Sequence, residues 1–360
     1  MRSVSLCILL LLSDHVCTAE LISVLFSVGS LFAGGGVWVA VQKYKCHIYE
    51  CCQDERWMPR NFTGLRKAFN AQLYGQHLVV DTVVRALRGH FDNERPRKAL
   101  VLSFHGWTGC GKNHVSNIIA RHLYTKGLHS SFVHLFISTL HFPLSDSAEM
   151  YADQLHQWII GNVTACPRSL FIFDEVDKLN PRVLEAIKPF IDHHETLDGV
   201  DFRKSVFIFL SNTGGTDISQ HTLQAYTDLK TRESIKLVDM ERVITTAAFN
   251  EKGGLQFSAL IRHHLVDHFI PFLPLAREHV RLCVRDELAA RGVEPTDARL
   301  TLVLDMLQYF PMDLQLYSKS GCKRIAQKVE LMLQEEEDQR LYERQQRQRD
   351  AHGSREHDEL

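Results

Sequence analysis

The sequence has no marked excess of either charge and no clustered metal-binding side chains. Its 360 residues include 41 Lys and Arg against 43 Asp and Glu, so the net charge is −2 with the 20 His neutral. This balance gives no broad basic field of the kind that argues for a nucleic-acid partner. The Cys and His residues are scattered without the spacing of a zinc site, and no internal repeat is present. The length allows two domains, or one large domain with an appendage.

Both ends of the chain have targeting patterns. Arg2 precedes an apolar run at 6–12, and small residues at 17–19 fit cleavage of a signal peptide that spans residues 1–19. The last four residues, 357–360, are His-Asp-Glu-Leu, an endoplasmic reticulum retrieval signal. Because the two ends indicate the same compartment, we expect a mature protein in the endoplasmic reticulum lumen, and a secreted enzyme is disfavoured.

A second apolar stretch, residues 21–41, follows the signal peptide. Its length suits a membrane span, but its four glycines weaken a helix, so a hairpin that dips into one leaflet is equally consistent. Lys43, Tyr44 and Lys45 come next, as residues at a membrane interface often do. The sequence therefore predicts that residues 20–45 associate with a membrane, by either geometry.

The cysteines and two sequons fit an oxidising, glycosylating compartment. Seven cysteines remain after the signal peptide, an odd number, so at least one lacks a partner within the chain. Cys110 lies in a tight glycine-rich loop that a disulfide would distort, so we expect it to be free. Asn61 and Asn162 each begin an Asn-x-Thr triplet and are predicted glycosylation sites.

The run Gly-Trp-Thr-Gly-Cys-Gly-Lys-Asn at 106–113 follows a buried-strand pattern at 99–104. This arrangement is typical of a phosphate-binding loop, in which backbone N–H groups surround phosphate oxygens. Lys112 supplies a charge for the β- and γ-phosphates, and the helix that begins near it directs its positive end to the same anion. Asn113 stands where Ser or Thr normally gives Mg²⁺ a hydroxyl, although its amide oxygen can still ligate the ion directly or through water. The predicted binding residues are Gly106, Trp107, Thr108, Gly109, Cys110, Gly111, Lys112 and Asn113.

A second motif supports the same site. Residues 170–175, Leu-Phe-Ile-Phe-Asp-Glu, predict a buried strand that ends in two carboxylates. We expect Asp174 to hold Mg²⁺, and Glu175 to orient or deprotonate an attacking water. An ordinary strand-to-helix turn could explain the glycine-rich loop alone, but not the two motifs together.

The hydrophobic pattern predicts an α/β fold with a parallel sheet flanked by helices. The predicted strands are 99–104, 132–138, 170–174 and 205–210. Helical patterns occur at 62–95, 112–126, 147–162 and 181–194. Both motifs then lie at the carboxyl ends of the strands, where such folds bind ligands. From about residue 275 the pattern is helical throughout, at 275–291, 296–309 and 318–346, which indicates a smaller second domain. The charged, Gln-rich end is expected to fray into a solvated tail.

Together these motifs resemble those of the torsins, a lumenal branch of the AAA+ ATPases, and in particular the torsin-1 type. The phosphate loop resembles the torsin loop with Asn113 included, as do residues 132–143, 186–190 and 272–275. The resemblance runs from about Cys46 to Leu333. It implies a large AAA+ nucleotide-binding domain over 46–272 and a small helical domain over 273–334. The retrieval signal in the tail, 335–360, is not a feature of most torsins.

A wider resemblance to Clp-type unfoldases implies further site residues. Asn212 matches sensor 1, an amide that positions the attacking water. Lys323, in the run Gly-Cys-Lys at 321–323, matches the cation of sensor 2 at the γ-phosphate. Residues 74–77 resemble the segment that borders adenine. The implied ligands are ATP and Mg²⁺, with the ion held by Asp174 and Asn113.

The same alignment finds Leu265 where these relatives have an arginine finger. AAA+ sites lie between subunits, and losing the finger costs roughly 10³- to 10⁵-fold in rate in comparable NTPases. The chain is therefore expected to bind ATP well and to hydrolyse it poorly alone. In torsins the finger comes from lumenal domains of lamina-associated-polypeptide-type membrane proteins, so the resemblance implies such partners. Alternatively, Arg262 serves as the finger in a homo-oligomer.

The resemblance also implies that Cys283 and Cys322 form a redox-sensitive pair. A disulfide between them would tie sensor 2 to the helix predicted at 275–291, and could couple lumenal redox state to nucleotide affinity. A structural disulfide without switching is the alternative.

Two functions remain open. The first is a partner-activated ATPase of the endoplasmic reticulum lumen and nuclear envelope, with a chaperone-like role in remodelling protein complexes or membranes. The second is a nucleotide-gated structural protein that forms homo-oligomers on a membrane, with incidental hydrolysis. The acid pair Asp174 and Glu175 favours the first, whereas Leu265 and Asn113 keep the second open. A processive unfoldase is disfavoured, because residues 139–165 contain no aromatic-glycine pore loop.

Overall fold

The computed structural model describes residues 45–250, 255 and 264–358, with side chains described as far as residue 348. The predicted signal peptide, the apolar stretch 21–41 and Arg262 lie outside these residues. The chain divides into a first unit that ends at Trp57 and a second unit that begins at Met58. Among the described residues, the structure contains no helix with the length and apolar character that a membrane span requires.

The described part of the first unit is short and held by a disulfide between Cys46 and Cys51. The Trp57 indole N–H donates to the Cys46 carbonyl at 2.7 Å. Arg56 and Asp54 form an ion pair at 2.7 Å. These local contacts stabilise a compact turn within the unit.

The second unit is built on a five-stranded sheet in the order β2-β3-β4-β1-β5, with all neighbours parallel. The strands are β1 Leu100–Gly106, β2 Val133–Ile137, β3 Leu170–Asp174, β4 Val206–Ser211 and β5 His268–Phe272. The first four confirm the predicted strands. Three of them, β1, β3 and β4, are buried along nearly their whole length and have nearly continuous apolar runs. The sequence analysis missed β5, which is short and contains Pro271. A proline has no N–H for the ladder and is tolerated at the edge position that β5 occupies.

Nine described α-helices in this unit precede β5 in sequence. They are α1 Phe62–Gln72, α2 His77–Asp92, α3 Lys112–Leu123, α4 Ser138–His141, α5 Ala148–Ala165, α6 Pro181–Glu185, α7 Lys188–Ile191, α8 Gly215–Thr227 and α9 Leu237–Asn250. The helical region predicted at 62–95 is interrupted near Gly75, whose φ is +66°. The region predicted at 181–194 divides into α6 and α7. No helix was predicted where α8 and α9 lie.

The main core covers one face of the sheet and is rich in phenylalanine. Residues two apart on a strand point to the same face, so Phe171 and Phe173 of β3 align with Phe207 and Phe209 of β4. The ring centroids of Phe171 and Phe207 are 4.9 Å apart, and those of Phe173 and Phe209 are 5.6 Å apart. This packing fixes the register of β3 against β4. It therefore also fixes the positions of the polar residues at their carboxyl ends.

The C-terminal part forms a separate hydrophobic cluster around three helices, α10 Arg277–Ala290, α11 Asp297–Asp305 and α12 Ile325–Asp358. Two short antiparallel strands, β6 Tyr309–Phe310 and β7 Tyr317–Ser318, join them. The expected fraying after residue 335 does not occur in the structure, where α12 continues to Asp358. An ion pair between Arg299 and Glu336 at 2.8 Å ties this extension to α11. The Gln, Glu, Arg and Leu residues of the extension also have high helix propensity.

Candidate nucleotide site

A cavity of about 720 Å³ opens at the carboxyl end of the sheet. Its size is within the range of about 300–1,000 Å³ that small-molecule sites occupy. Its walls come from the loop after β1, the ends of β3 and β4, the segment before Gly75, and the helices α10 and α12. Parallel α/β sheets bind ligands at this edge, because the connecting loops leave a crevice there.

The loop between β1 and α3 has the shape of an anion cradle. Gly106, Gly109 and Gly111 all have positive φ, at +154°, +79° and +108°. A Cβ on Gly106 would lie 2.5 Å from the Phe272 carbonyl oxygen. Helix α3 begins at Lys112 without a side-chain cap, so its first N–H groups are available to a ligand. The predicted phosphate loop is therefore open to an anion.

Lys112 is buried at the base of this loop, with a relative exposure of 7%. Its ammonium donates to the carbonyls of Gly106 at 2.6 Å and Trp107 at 3.1 Å, and to Oδ1 of Asn212 at 3.0 Å. Burial lowers the pKa of Lys112, with the nearby charge of Lys323 among the smaller contributions. Its three acceptors are neutral, so its charge is available to compensate a phosphate.

Asp174 ends β3 and faces the loop. Its carboxylate accepts from the Asn113 side-chain amide and, at 2.9 Å, from the backbone N–H of Glu175. Carboxylate and amide oxygens suit Mg²⁺, which typically takes one or two carboxylates together with substrate phosphates. Among the described residues, no group of three or more His, Cys, Asp or Glu could hold a metal alone. The side-chain oxygens of Asp174 and Asn113 therefore fit an ion that arrives with a nucleotide.

Glu175 is held from both sides. Its Oε2 accepts from the Thr139 hydroxyl at 2.6 Å, and its Oε1 accepts from the Lys178 ammonium at 2.6 Å. Lys178 is the main cause that lowers the pKa of Glu175, and Thr139 adds to it. The backbone of Glu175 is left-handed, with φ +57°, a strained conformation that is concentrated at functional sites. Glu175 is thus an ionised base whose two oxygens are both engaged.

Asn212 connects Lys112 to the acidic segment 174–178. It follows β4, accepts from Lys112, and donates its backbone N–H to Oδ1 of Asp177 at 3.0 Å. Its amide also donates to Oδ2 of Asp177 at 3.4 Å. The structure therefore brings Asn212, the residue that matches sensor 1, to the predicted site. Asp177 lies in the Asp-Glu-Val-Asp-Lys run at 174–178, but its role in positioning Asn212 was not predicted.

The loop that carries Lys323 is docked on the phosphate loop. The Trp107 indole N–H donates to the Lys319 carbonyl at 2.8 Å, and the Cys322 N–H donates to the Gly109 carbonyl at 3.2 Å. A Cβ on Gly109 would lie 1.9 Å from the Ser320 carbonyl oxygen. Lys323 lines the cavity, as its match to sensor 2 implied.

The cysteines pair as the resemblance implied. A disulfide joins Cys283 of α10 to Cys322, and both line the cavity. Cys110 is free and buried, which confirms the prediction for the phosphate loop. Burial raises the pKa of the Cys110 thiol to about 11, so it stays protonated near neutral pH. Cys52 and Cys166 are also disulfide-bonded.

Tyr74, in the segment that resembles the adenine border, also lines the cavity. Its hydroxyl donates to the Asp286 carboxylate of α10 and accepts from Arg285 at 3.1 Å. Nearby, the buried Gln76 amide donates to the Cys110 carbonyl at 3.1 Å and the Leu273 carbonyl at 2.8 Å. These contacts connect the adenine border to the phosphate loop and to the end of β5.

Arg232 supports the same border and was missed by the sequence analysis. It is partly buried, and its guanidinium donates to the Gly75 carbonyl at 2.7 and 2.9 Å and to the Pro274 carbonyl at 2.9 Å. Burial lowers its pKa. An arginine between two unpredicted elements carries no local motif, so the sequence offers no means of finding it.

Leu265 is buried, with a relative exposure of 2%, and belongs to the main core. Leu265 thus packs in the core and supplies no charge to the site. The expectation that another protein supplies the arginine finger depends on the family resemblance.

The two predicted glycosylation sites lie outside the cavity in different settings. Asn61 is exposed and caps α1, accepting from the Gly64 N–H at 2.8 Å. Asn162 is half-buried within α5, and its amide donates to the Trp158 carbonyl at 2.8 Å. A glycan at either position stays a prediction, with the exposed Asn61 the more accessible acceptor.

Comparison with known proteins agrees with this geometry. A family model described as Torsin matches residues 46–173, and one described as Torsin-1A, C-terminal domain matches residues 275–332. A Torsin-like protein of Caenorhabditis elegans is 45% identical over 333 residues, which cover 89% of this chain and 93% of that protein.

Solved structures share the fold at low identity. Hsp104 of S. cerevisiae in complex with ADP superposes with a TM-score of 0.53 at 16% identity, over 79% of this chain and 48% of the Hsp104 chain. A closed-state cryo-EM reconstruction of Hsp104 with ATPγS and FITC casein gives a TM-score of 0.54 at 16% identity, with the same coverage. This likeness confirms the AAA+ fold class, and this chain spans about half the length of those chains.

Proposed function

This chain belongs to the torsin family of AAA+ ATPases, and from that premise we propose that it is a partner-activated ATPase. Its proposed location is the endoplasmic reticulum lumen and the perinuclear space of the nuclear envelope. Its proposed partner is the lumenal domain of a lamina-associated-polypeptide-type membrane protein, which supplies the arginine finger. Its proposed role is chaperone-like remodelling of protein complexes or membranes. The observation that supports hydrolysis most is the convergence of Lys112, Asp174, Glu175 and Asn212 on one cavity.

In this proposal each residue of the site has its own role in ATP binding or hydrolysis. Lys112 and the N–H groups of residues 106–113 hold the phosphates of ATP. Asp174 and Asn113 would hold Mg²⁺, which neutralises charge on the phosphates when it is bound. Asn212, fixed by Asp177, orients the attacking water, and Glu175 takes its proton. Lys323 adds positive charge near the γ-phosphate.

Dependence on a partner is supported by the state of Glu175. Each of its carboxylate oxygens accepts a hydrogen bond, from Thr139 or from Lys178, and these contacts stabilise the ionised form and weaken Glu175 as a base. The absence of an arginine at 265 supports the same dependence through the family resemblance. An activator that supplied a finger and released Glu175 would raise turnover by two routes.

The location, membrane association and redox control are proposed from other features. The retrieval signal at 357–360 and the signal peptide at 1–19 support a lumenal location, and residues 20–45 support contact with a membrane. The disulfide between Cys283 and Cys322 supports redox control of nucleotide affinity, since it lines the cavity. Identical responses of ATP affinity to reductant in the wild type and Cys322→Ser would end the redox proposal.

A substitution at Glu175 tests the proposed chemistry. Glu175→Gln keeps the size of the side chain but removes the base, so ATP should still bind while hydrolysis falls by at least about 100-fold. Because partner affinity follows the ATP state, this variant should also retain the activator. Nucleotide binding, phosphate release and activator capture are the measurements, with the exposed Glu195→Gln as a matched control. Normal hydrolysis by Glu175→Gln would remove Glu175 from its assigned role.

The nucleotide-gated scaffold remains a second candidate. It is favoured by the engaged Glu175 and by Asn113, whose amide pairs with Asp174 where a hydroxyl would normally serve Mg²⁺. If ATP assembled oligomers on membranes while turnover stayed absent with every activator, this candidate would replace the first.

A further inference from the structure

A second cleft, of about 780 Å³, lies beside the nucleotide cavity. It is bounded by Thr108 of the phosphate loop, by Met306 and Leu307 after α11, and by the residues around the start of α12. Four of its lining side chains are cationic, and none is acidic. They are Lys319, Lys323, Arg324 and Lys328, and we name this the cationic cleft.

The four cations of the cationic cleft form no close ion pair among the described residues, although the charge of Lys323 acts on Glu175 from a distance. Other arginines of the C-terminal helices form ion pairs, including Arg277 with Asp305, Arg281 with Asp297 and Arg299 with Glu336. The structure gives the four cations of the cleft no carboxylate partner among the side chains that it describes.

The position of these cations also opposes the helix dipole. Helix α12 begins at Ile325 and has no acidic residue in its first turn. Positive side chains at a helix N-terminus are unfavourable, because the helix dipole is positive there as well. The arrangement therefore costs the isolated chain stability, and a bound anion would offset that cost.

Different residues around the start of α12 line the nucleotide cavity and the cationic cleft. Ile325 and Ala326 line the nucleotide cavity, whereas Arg324, Gln327 and Lys328 line the cationic cleft. Lys323 and Thr108 line both. Arg324 and Lys328 can therefore be changed without altering the wall of the nucleotide cavity.

The cationic cleft is also mechanically joined to the phosphate loop. Lys319 and Lys323 belong to the loop that receives the Trp107 indole N–H and approaches Gly109 closely. An anion bound there would draw the charge of Lys323 away from the nucleotide and add negative charge near its phosphates. Both effects lower ATP affinity, and coupling between sites is reciprocal, so ATP would weaken the anion equally.

We propose that the cationic cleft is a regulatory site for a phosphate-bearing polyanion whose binding weakens ATP binding. A phosphate carries about −1.5 to −2 charges near neutral pH, so two or three phosphates match four cations, whereas a carboxylate carries one charge. The volume of the cleft fits a small molecule or a lipid headgroup. The anion site itself does not depend on the proposed function, but its effect on ATP does.

Binding of inositol hexakisphosphate to the full chain, measured by calorimetry, tests the site. Arg324→Gln combined with Lys328→Gln should weaken binding at least about tenfold, through loss of two charges in four. A matched pair of exposed residues outside both clefts, Lys67→Gln with Arg97→Gln, should leave it unchanged. In the wild type, the affinity for a fluorescent ATP analogue should fall at least about fivefold at saturating inositol hexakisphosphate. The Arg324 and Lys328 double variant should lose this response.

The source of the phosphate is identified by a parallel experiment with phosphatidylcholine vesicles, with and without phosphatidylinositol bisphosphate. Binding to the doped vesicles and not to the soluble probe indicates a headgroup, and the reverse indicates a soluble phosphate compound; both support the site.

Unchanged binding of inositol hexakisphosphate in the double variant would overturn the proposal. Undiminished competition with the ATP analogue in that variant would also overturn it, because it indicates that the probe enters the nucleotide cavity. Tighter binding of poly-glutamate than of inositol hexakisphosphate would overturn it in favour of a protein partner. Charge-dependent probe binding without any ATP binding would leave the anion site standing and remove the proposed function.

Discussion

At the scale of single residues, the state of Glu175 governs what the site can do. A general base must accept a proton from the water, and Thr139 and Lys178 each donate a hydrogen bond to one oxygen of this carboxylate, which stabilises its ionised form. Lys178 also lowers the pKa of Glu175, which makes it a weaker base. The structure therefore has the residues of a hydrolase in an arrangement that restrains hydrolysis.

Removing the Thr139 hydroxyl should release this restraint. Thr139→Val is nearly isosteric but cannot donate to Glu175, so basal ATP turnover should rise by up to about tenfold, the equivalent of one charge-assisted hydrogen bond of about 1.5 kcal/mol. Phosphate release without an activator is the measurement, and Thr139→Ser, which keeps the hydroxyl, is the control. A fall in turnover in Thr139→Val alone would mean that the hydroxyl positions the base productively.

The site residues that the sequence predicts are those encoded in short motifs. Lys112, Asp174 and Glu175 follow apolar runs whose ends must meet at one edge of a parallel sheet. By contrast, Thr139 and Arg232 act through contacts with segments 36 and 157 residues away. No local pattern distinguishes such residues from other surface or buried polar side chains, because the fold alone brings them to their partners.

At the scale of elements, the phosphate loop and the loop before α12 are in close contact through their glycines. Gly109 of the phosphate loop and Gly321 of the loop before α12 approach so closely that a Cβ on Gly321 would lie 2.2 Å from the Gly109 carbonyl oxygen. Gly321 also has φ +51°. Changes in either loop must therefore be felt by the other.

Gly321→Ala should separate these loops and weaken nucleotide binding. The left-handed backbone alone costs about 1–3 kcal/mol for a non-glycine residue, and the collision adds to that. Gly292→Ala is a matched control, because Gly292 has φ +68° but a Cβ added to it would meet no atom within 4 Å. Thermal unfolding and ATP-analogue affinity are the measurements. Equal effects of the two substitutions would contradict the proposed contact between the loops.

Strands were predictable from the sequence where their residues are almost all apolar. Four strands were evident as continuous apolar runs, whereas β5 contains Pro271 and His268 and was missed. A proline is acceptable there because β5 is an edge strand, a fact that depends on the sheet order rather than on the local sequence. The helix predicted at 318–346 was expected to fray after residue 335, whereas α12 continues to Asp358. Charge and Gln content did not decide this, because solvated helices and disordered segments share them.

At the scale of the whole molecule, the nucleotide site is assembled from the sheet and the C-terminal helices together. Asp174 and Asn212 come from the ends of strands and Lys112 from the start of α3, while Lys323, Cys283 and Cys322 come from the C-terminal part. A partner, a change in redox state or an anion in the cationic cleft could each act on the site by shifting one part against the other. We expect regulation, rather than raw turnover, to be the principal property of this arrangement.

The most direct test of partner activation is steady-state ATP turnover by the mature chain, alone and with the lumenal domain of a lamina-associated-polypeptide-type activator. The account predicts ATP binding with almost no turnover alone, and a gain of roughly 10³- to 10⁵-fold when the partner supplies an arginine finger. Appreciable turnover by the chain alone, abolished by Arg262→Gln, would contradict the account and show that the chain supplies its own finger.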